Sequence, residues 1–151
     1  MRVILRETEV TDLPIFLEQQ LDPEAARMAS LLPRDRDAFM AHWGNIFGDE
    51  GVVTRTALLE AEVAGYVVCY EKEGQHLLGY WIGREFWGRG VATQAVAGFL
   101  GFVKVRPLRA FVAEQNRASI RVLEKSGFAL RDRSVGDDGI AELMFELGES
   151  S

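Results

Sequence analysis

The chain has 151 residues, is 48% hydrophobic and 26% charged, and carries a formal net charge of −6. That length fits one domain able to bury a core of its own. No run of 18 or more apolar residues occurs, which excludes a transmembrane helix; a single cysteine, Cys69, excludes an internal disulfide; and the negative balance argues against general nucleic-acid binding.

The opening MRVILRETEV is charged within its first nine residues and lacks the apolar core of a signal peptide. With one cysteine this predicts a cytoplasmic location. His42, His76 and Cys69 form no metal-ligand spacing, so no metal is expected. VILRE then reads as a first strand. Thr11-Asp12 cap a short helix with Pro14 in its first turn and Ile15 and Phe16 on its apolar side. Residues 21–34 read as partly helical. Residues 35–47 form a helix with Phe39, Met40, Trp43 and Ile46 on one face, stopped by Gly48–Gly51.

The period then changes to two. Residues 52–60 and 63–71 are strand-like, joined by a tight turn near Ala61-Glu62. A turn at Glu73-Gly74 leads into a third strand, residues 75–82, which completes an antiparallel meander. Residues 91–103 read as a helix burying Val91, Ala95, Val96, Phe99, Leu100 and Val103, and its Gly98 and Gly101 predict close packing of backbone on a sheet. Pro107 ends that region. A strand at 108–113, a helix at 117–126 stopped by Gly127, and strands near 128–133 and 141–147 complete the chain. The expected fold is a single α/β domain over residues 1–148, a mixed, mostly antiparallel sheet of about seven strands flanked by helices. Residues 149–151 read as a loose tail.

Charge is unevenly spread. Residues 81–133 hold ten Lys/Arg against four Asp/Glu, leaving seven against nineteen in the remainder. This predicts a basic half for an anionic cofactor and an acidic half that attracts a cationic substrate. The stretch YWIGREFWGRGVATQAVAGFLGF, residues 80–102, names the place. A strand ends at Ile82-Gly83, a short loop turns, and a helix begins near Gly90. The first turn of a helix has about four unbonded N–H groups and roughly half a positive charge. Gly88 and Gly90 carry no side chain to hold a phosphate away, and Arg89 and Arg84 add charge. Such a cradle is made mostly of backbone. No lysine follows either glycine, so the P-loop pattern fails. A dinucleotide fingerprint nearly fits, with Thr93 in its last position and Glu114 at the end of the next strand. However, four residues separate the strand from the loop, and the strand belongs to a meander.

The second stretch is NRASIRVLEKSGF, residues 116–128. Asn116 is a good N-cap, Ser119 sits at the third helical position, Ile120, Val122 and Leu123 face the core, and Arg117, Arg121 and Lys125 are exposed.

Together the two stretches resemble the GNAT superfamily of acetyl-coenzyme A dependent N-acetyltransferases. The family's pyrophosphate motif, Q/R-x-x-G-x-G/A, stands here as Trp87-Gly88-Arg89-Gly90-Val91-Ala92, with Trp87 in place of Gln or Arg. The variant is similar to the RimJ/RimL-like branch that acetylates ribosomal-protein N-termini, which also holds many acetyltransferases for small molecules. The resemblance implies acetyl-coenzyme A as cosubstrate, with its pyrophosphate on the amides of Gly88, Arg89, Gly90, Val91, Ala92 and Thr93. It implies a pantetheine arm paired with Trp81, Ile82 and Gly83, where this strand splays from the one at 108–113. Asn116 would bond the arm, and Ser119 would lie near the thioester sulfur.

The implied reaction is direct attack of an amine on the thioester in a ternary complex, with a backbone N–H near Ile82 facing the oxyanion. Many members use a tyrosine seven residues after the Asn as general acid. Leu123 stands there in this chain, and Ser119 is the expected replacement as donor to the thiolate. Glu60, Glu71, His76, Tyr80 and Glu85, or a base acting through water, are the candidates for deprotonating the amine. Glu85 and Tyr80 stand with Ser119 as the catalytic candidates. Where the branch usually has Glu, this chain has Gln94. Acceptor specificity is expected from residues 20–50, with Asp22, Glu24, Asp35, Asp37, Asp49 and Glu50 beside Trp43 and Phe47. The acceptor is a protein N-terminus or a small amine; neither nucleic acid nor membrane is an expected partner, and a homodimer fits the branch. Two rival readings stay open, a non-catalytic acyl-coenzyme A binding or sensor module and a dinucleotide-binding protein.

Overall fold

The computed structural model describes residues 2–30 and 34–148. The expected tail at 149–151 and positions 31–33 of the partly helical segment lie outside the described residues. Seven strands, β1 (Val3–Glu7), β2 (Val53–Leu59), β3 (Glu62–Lys72), β4 (Gln75–Ile82), β5 (Leu108–Ala113), β6 (Ala129–Val135) and β7 (Ala141–Leu147), form one sheet in the spatial order β1-β2-β3-β4-β5-β7-β6. Among the described residues five α-helices accompany them: α1 (Leu13–Gln20), α2 (Pro23–Ala29), α3 (Arg36–Phe47), α4 (Val91–Leu100) and α5 (Arg117–Lys125). Every strand pair is antiparallel except β4 with β5. Among the described residues no helix is long and apolar enough to cross a membrane.

Alternation in the strands sorts side chains to two faces. One face carries the larger core, where Val67, Cys69, Leu78, Ala110, Val112, Leu143 and Phe145 meet Val96 and Phe99 of α4 and Leu123 of α5. The other carries a smaller aromatic core. Phe16 of α1, tilted, and Trp43 of α3, edge to face, pack against Tyr66 of β3, each with its ring centroid 4.9 Å from that of Tyr66. Trp43 and Phe39 therefore serve packing.

Local differences from the sequence expectations have local causes. The tight turn after β2 is centred on Glu60-Ala61, both with positive φ (52° and 69°), one residue earlier than expected. This double left-handed geometry matches the right-handed twist of a two-residue hairpin. Asp12 stands at the N-cap of α1 without capping it. Its carboxylate accepts two bonds from Arg6 (2.8 and 2.7 Å), one from the Glu9 N–H (2.9 Å) and one from the Thr56 hydroxyl (2.7 Å). It thereby ties β1, the turn before α1 and β2 together. Ile15, expected on the apolar side of that helix, is exposed. α4 ends at Leu100 rather than at 103. A Cβ on Gly98 would stand 3.3 Å from Leu5 of β1, so this glycine does pack closely against the sheet, whereas Gly101 meets only its own helix.

The feature that positions the site is the β4–β5 junction. These strands pair only through His76–Leu108 and Leu77–Arg109. β5 then stays with β7 through Ala113, while β4 stays with β3 through Ile82. The two strands diverge, and the sheet opens into a wedge.

Candidate active site

One wall of the wedge is the free edge of β4. The Gly83 N–H donates to the Ala64 carbonyl of β3 at 2.8 Å. Main-chain groups alternate along a strand, so Trp81 also turns its N–H and C=O toward β3, and Tyr80 and Ile82 turn theirs into the wedge. The Ile82 carbonyl already accepts a bond from the Trp87 indole N–H, at 2.9 Å. A carbonyl has a second lone pair, so it keeps an acceptor site. The aromatic residue at the start of the glycine motif thus pins the loop to the strand that precedes it.

The glycine motif follows a 3-10 turn, Arg84–Phe86. Gly88 and Gly90 have φ of +75° and +74°, and a Cβ at either position would meet nothing within 4 Å. Glycine is favoured there by the left-handed backbone, and the space outside it is open. Gly90 is the N-cap of α4 and offers no side-chain bond, and the first intrahelical bond runs from the Gln94 N–H to the Gly90 carbonyl at 3.1 Å. The N–H groups of Val91, Ala92 and Thr93 are therefore left without intrahelical acceptors.

These groups line a cavity of about 660 Å³. Across it runs one stripe of α5, in which Arg117, Arg121 and Lys125 recur every four residues and all line the same cavity. A concave, mostly apolar space of this size, with a row of cations facing a helix N-terminus, suits an anionic ligand of coenzyme size. The sequence shows the three cations as exposed but does not assign them to the site. Their signal was the i, i+4 spacing on the helix that follows the glycine motif by one strand. Arg89 is exposed outside the cavity, its guanidinium 5.9 Å from the Phe86 ring centre. Arg84 pairs with Asp22 at 3.5 Å, so it holds the N-cap of α2. The Gln94 side-chain Oε1 accepts from the Val3 N–H at 3.2 Å, a tie between α4 and β1.

At the apex of the wedge the Tyr80 hydroxyl of β4 lies 2.5 Å from the Ser119 Oγ of α5 and 3.2 Å from the Ser119 carbonyl, so its one proton has either oxygen as acceptor. Burial pushes the Tyr80 phenol up to about 12, and the bond to Ser119 offsets only part of that. The Asn116 Oδ1 accepts from the Ser119 N–H at 3.2 Å, which is the helix-capping role. Tyr80, Ser119, Asn116 and Trp81 line both the large cavity and a second one of about 180 Å³ between the diverging strands. The indole N–H of Trp81 is buried and has no partner among the described residues.

The structure brings together Tyr80, Trp81, Ile82, Trp87, Gly88, Gly90, Val91, Ala92, Thr93, Asn116 and Ser119 around the larger cavity. Gly83 and Arg89 stand beside it without lining it. Glu85 is exposed on the 3-10 turn and lines neither cavity. Glu60 is on the β2–β3 turn, and Glu71 faces His76 at 3.8 Å at the opposite end of β4 from Ile82. Leu123 is 1% exposed in the larger core, so no hydroxyl comes from that position.

Among the described residues of 20–50, only α2 reaches the site, through Ala25, Met28 and Ala29. It is tied at both ends. Asp22 meets Arg84, and the Gln115 Nε2 donates to the Arg27 carbonyl (2.7 Å) and the Ser30 Oγ (2.9 Å). Asp35 caps α3, and Phe47 packs beside Trp43 with ring centres 6.1 Å apart.

Comparison with known proteins agrees with this geometry. The family model described as acetyltransferase (GNAT) domain matches residues 2–129. A curated relative from Bacillus licheniformis, named as the uncharacterized N-acetyltransferase p20, is 25% identical over 142 residues, covering 84% of this chain and 79% of that protein. Among solved structures, the RimL ribosomal L7/L12 alpha-N-protein acetyltransferase in complex with coenzyme A superposes with a TM-score of 0.81 at 18% identity, over 99% of this chain and 95% of that one. The spermidine N-acetyltransferase from Vibrio cholerae, in complex with coenzyme A and spermine, gives 0.83 at 15% identity, over 97% and 95%. At these identities the two structures speak for the fold.

Proposed function

The chain belongs to the GNAT acetyltransferase family and is an acyltransferase, and from that premise we propose that it moves the acetyl group of acetyl-coenzyme A to a primary amine by direct attack in a ternary complex. The observation that carries this reading is the Tyr80–Ser119 pair at the point where the two cavities meet. A cofactor enters from the side of α4 and α5, and an acceptor enters between β4 and β5.

In this reading the amides of Val91, Ala92 and Thr93 hold the pyrophosphate, with Arg117, Arg121 and Lys125 facing it. The free main-chain groups of Tyr80 and the Ile82 carbonyl hold the pantetheine amides. When bound, the thioester supplies an acyl carbon and a thiol leaving group. The Ile82 N–H donates to the acyl oxygen as charge gathers there. The Ser119 hydroxyl donates to the departing sulfur, and Tyr80 donates to the Ser119 Oγ so that the Ser119 proton points outward. A phenol held near 12 is protonated at neutral pH, so Tyr80 serves as a donor rather than as the base. No carboxylate or imidazole lines the larger cavity among the described residues, and the amine proton leaves through water.

A coenzyme A-binding module without turnover is the second reading, favoured by the burial of Leu123 where many members place the tyrosine acid. Thermal-shift titration with acetyl-coenzyme A, desulfo-coenzyme A and NAD tests the cofactor. A ligand at 100 times its dissociation constant stabilises by about 2.7 kcal/mol, several degrees for a chain of this size. Both coenzyme A compounds should raise the melt and NAD should not. Acetyl transfer across a panel of amines then separates the enzyme from the module. No shift with either coenzyme A compound at millimolar concentration would sink both readings.

A further inference from the structure

We propose that Glu142 is the acceptor-recognition residue, its carboxylate taking the incoming primary ammonium in the smaller cavity; the inference rests on the amine-acetylation reading. The face of the sheet opposite α4 and α5 shows why. Leu108, Ala110 and Val112 enter the larger core, so Arg109, Phe111 and Ala113 of β5 point to the other side. Register places Glu146, Met144 and Glu142 of β7 beside them in turn.

Four acids lie in this region; Asp132, beside Met144, lines neither cavity, and two others are already neutralised. Glu146 meets Arg109 at 2.9 Å and Arg131 at 3.8 Å, and Glu114 meets Arg133 at 2.7 Å. Glu142 has no cation within 4.0 Å among the described residues, and its neighbour across β6 is Ser134. Among the described residues it is also the one acid that lines the 180 Å³ cavity, and the others lining it are uncharged. Ala29, Gly79 and Ala113 line that cavity with small side chains or none, and Phe111, 48% exposed, offers an aromatic face at its side. Tyr80 and Ser119 line the same space.

A primary amine reaches the protein mostly as an ammonium, because its ordinary pKa is about 10.4. An uncharged, narrow passage with a single free carboxylate selects that cation, and the small side chains admit the carbon chain behind it. A short alkylamine and the N-terminus of a polypeptide share this chemistry.

Calorimetric titration of the full chain with n-butylammonium, with and without coenzyme A, reads the site directly. Glu142→Gln is expected to weaken butylammonium about tenfold, the order expected when one charge-assisted bond is removed. It should leave coenzyme A affinity and the binding of uncharged 1-pentanol as they are. Glu114→Gln removes an acid of the same region that is already paired, and should change neither. Glu142 is exposed, so its variant should melt with the parent. A free-amine pentapeptide run beside butylammonium separates the two sources; tighter binding of either through Glu142 supports the site. Butylammonium binding that is undetectable in the parent, within twofold of the parent in Glu142→Gln, or weakened equally by Glu114→Gln, would overturn it. Binding through Glu142 without acetyl transfer would keep the ammonium site but overturn the proposed reaction and, with it, the acceptor role of Glu142.

Discussion

The Tyr80–Ser119 contact makes a prediction at the scale of single atoms. Tyr80→Phe removes the donor to Ser119 and keeps the ring that lines both cavities. Acetyl-transfer kcat should fall about 100-fold, within the range usual for a positioned proton donor, with the KM for acetyl-coenzyme A nearly unchanged. Ser119→Ala should cost a similar factor. The double variant should lose little more than either single one, because the two hydroxyls act as one unit. Steady-state kinetics of the three variants decide it, and additive losses would mean that the residues act separately. The sequence names both residues as candidates but contains no sign that they touch, since 39 positions separate them. Only the divergence of β4 from β5 lets a tyrosine on a strand reach a serine on the next helix but one.

At the scale of elements, backbone conformation decides which glycines matter. Gly90 carries a φ of +74° at the mouth of α4. Gly90→Ala should therefore destabilise by about 1–2 kcal/mol, the usual strain of a side chain in the left-handed region. A melt lowered by several degrees checks this. Gly98 has no positive φ, and its added Cβ would press only the tip of Leu5, a half-buried side chain. Gly98→Ala should raise the melt, since alanine is favoured over glycine by roughly 1 kcal/mol inside a helix. The two substitutions look alike on paper and should move in opposite directions. The glycine pattern was legible in the sequence; the sign of φ at each position was not, because it is set by how the loop joins β4 to α4.

For the whole molecule, buried titrating groups bound the pH range of stability. Burial opposes ionisation of Asp12, but bonds from Arg6, the Glu9 N–H and Thr56 outweigh it and hold its carboxyl below the usual range. Stability from this group is present above about pH 4 and is lost as pH falls through its lowered folded value. Asp12→Asn should flatten that acid limb, while lowering the melt at neutral pH. Burial holds Tyr66 and Tyr80 near 12, above the ordinary 10. Their contribution is complete below about pH 10 and is lost as pH rises through 12. The melting temperature should therefore drop between about pH 10 and 12, and less steeply in Tyr80→Phe. Melts recorded across both limbs test the pair of signs.

Periodicity, glycine spacing and caps belong to the chain by itself. They determined the strand and helix order, the meander, the glycine turn that leads into α4 and the family resemblance, because each rests on residues within a few positions of one another. Tertiary structure decided the rest. It placed Arg117, Arg121 and Lys125 across from α4, sent Arg84 to Asp22, and turned Arg89 away. It also consigned Trp43 and Phe39 to an aromatic core, and left Glu142 at the smaller cavity with no cation beside it among the described residues. Each of these depends on which distant charge or ring arrives first at a given side chain. That choice is made by the order of strands in the sheet and by the point where β4 and β5 part.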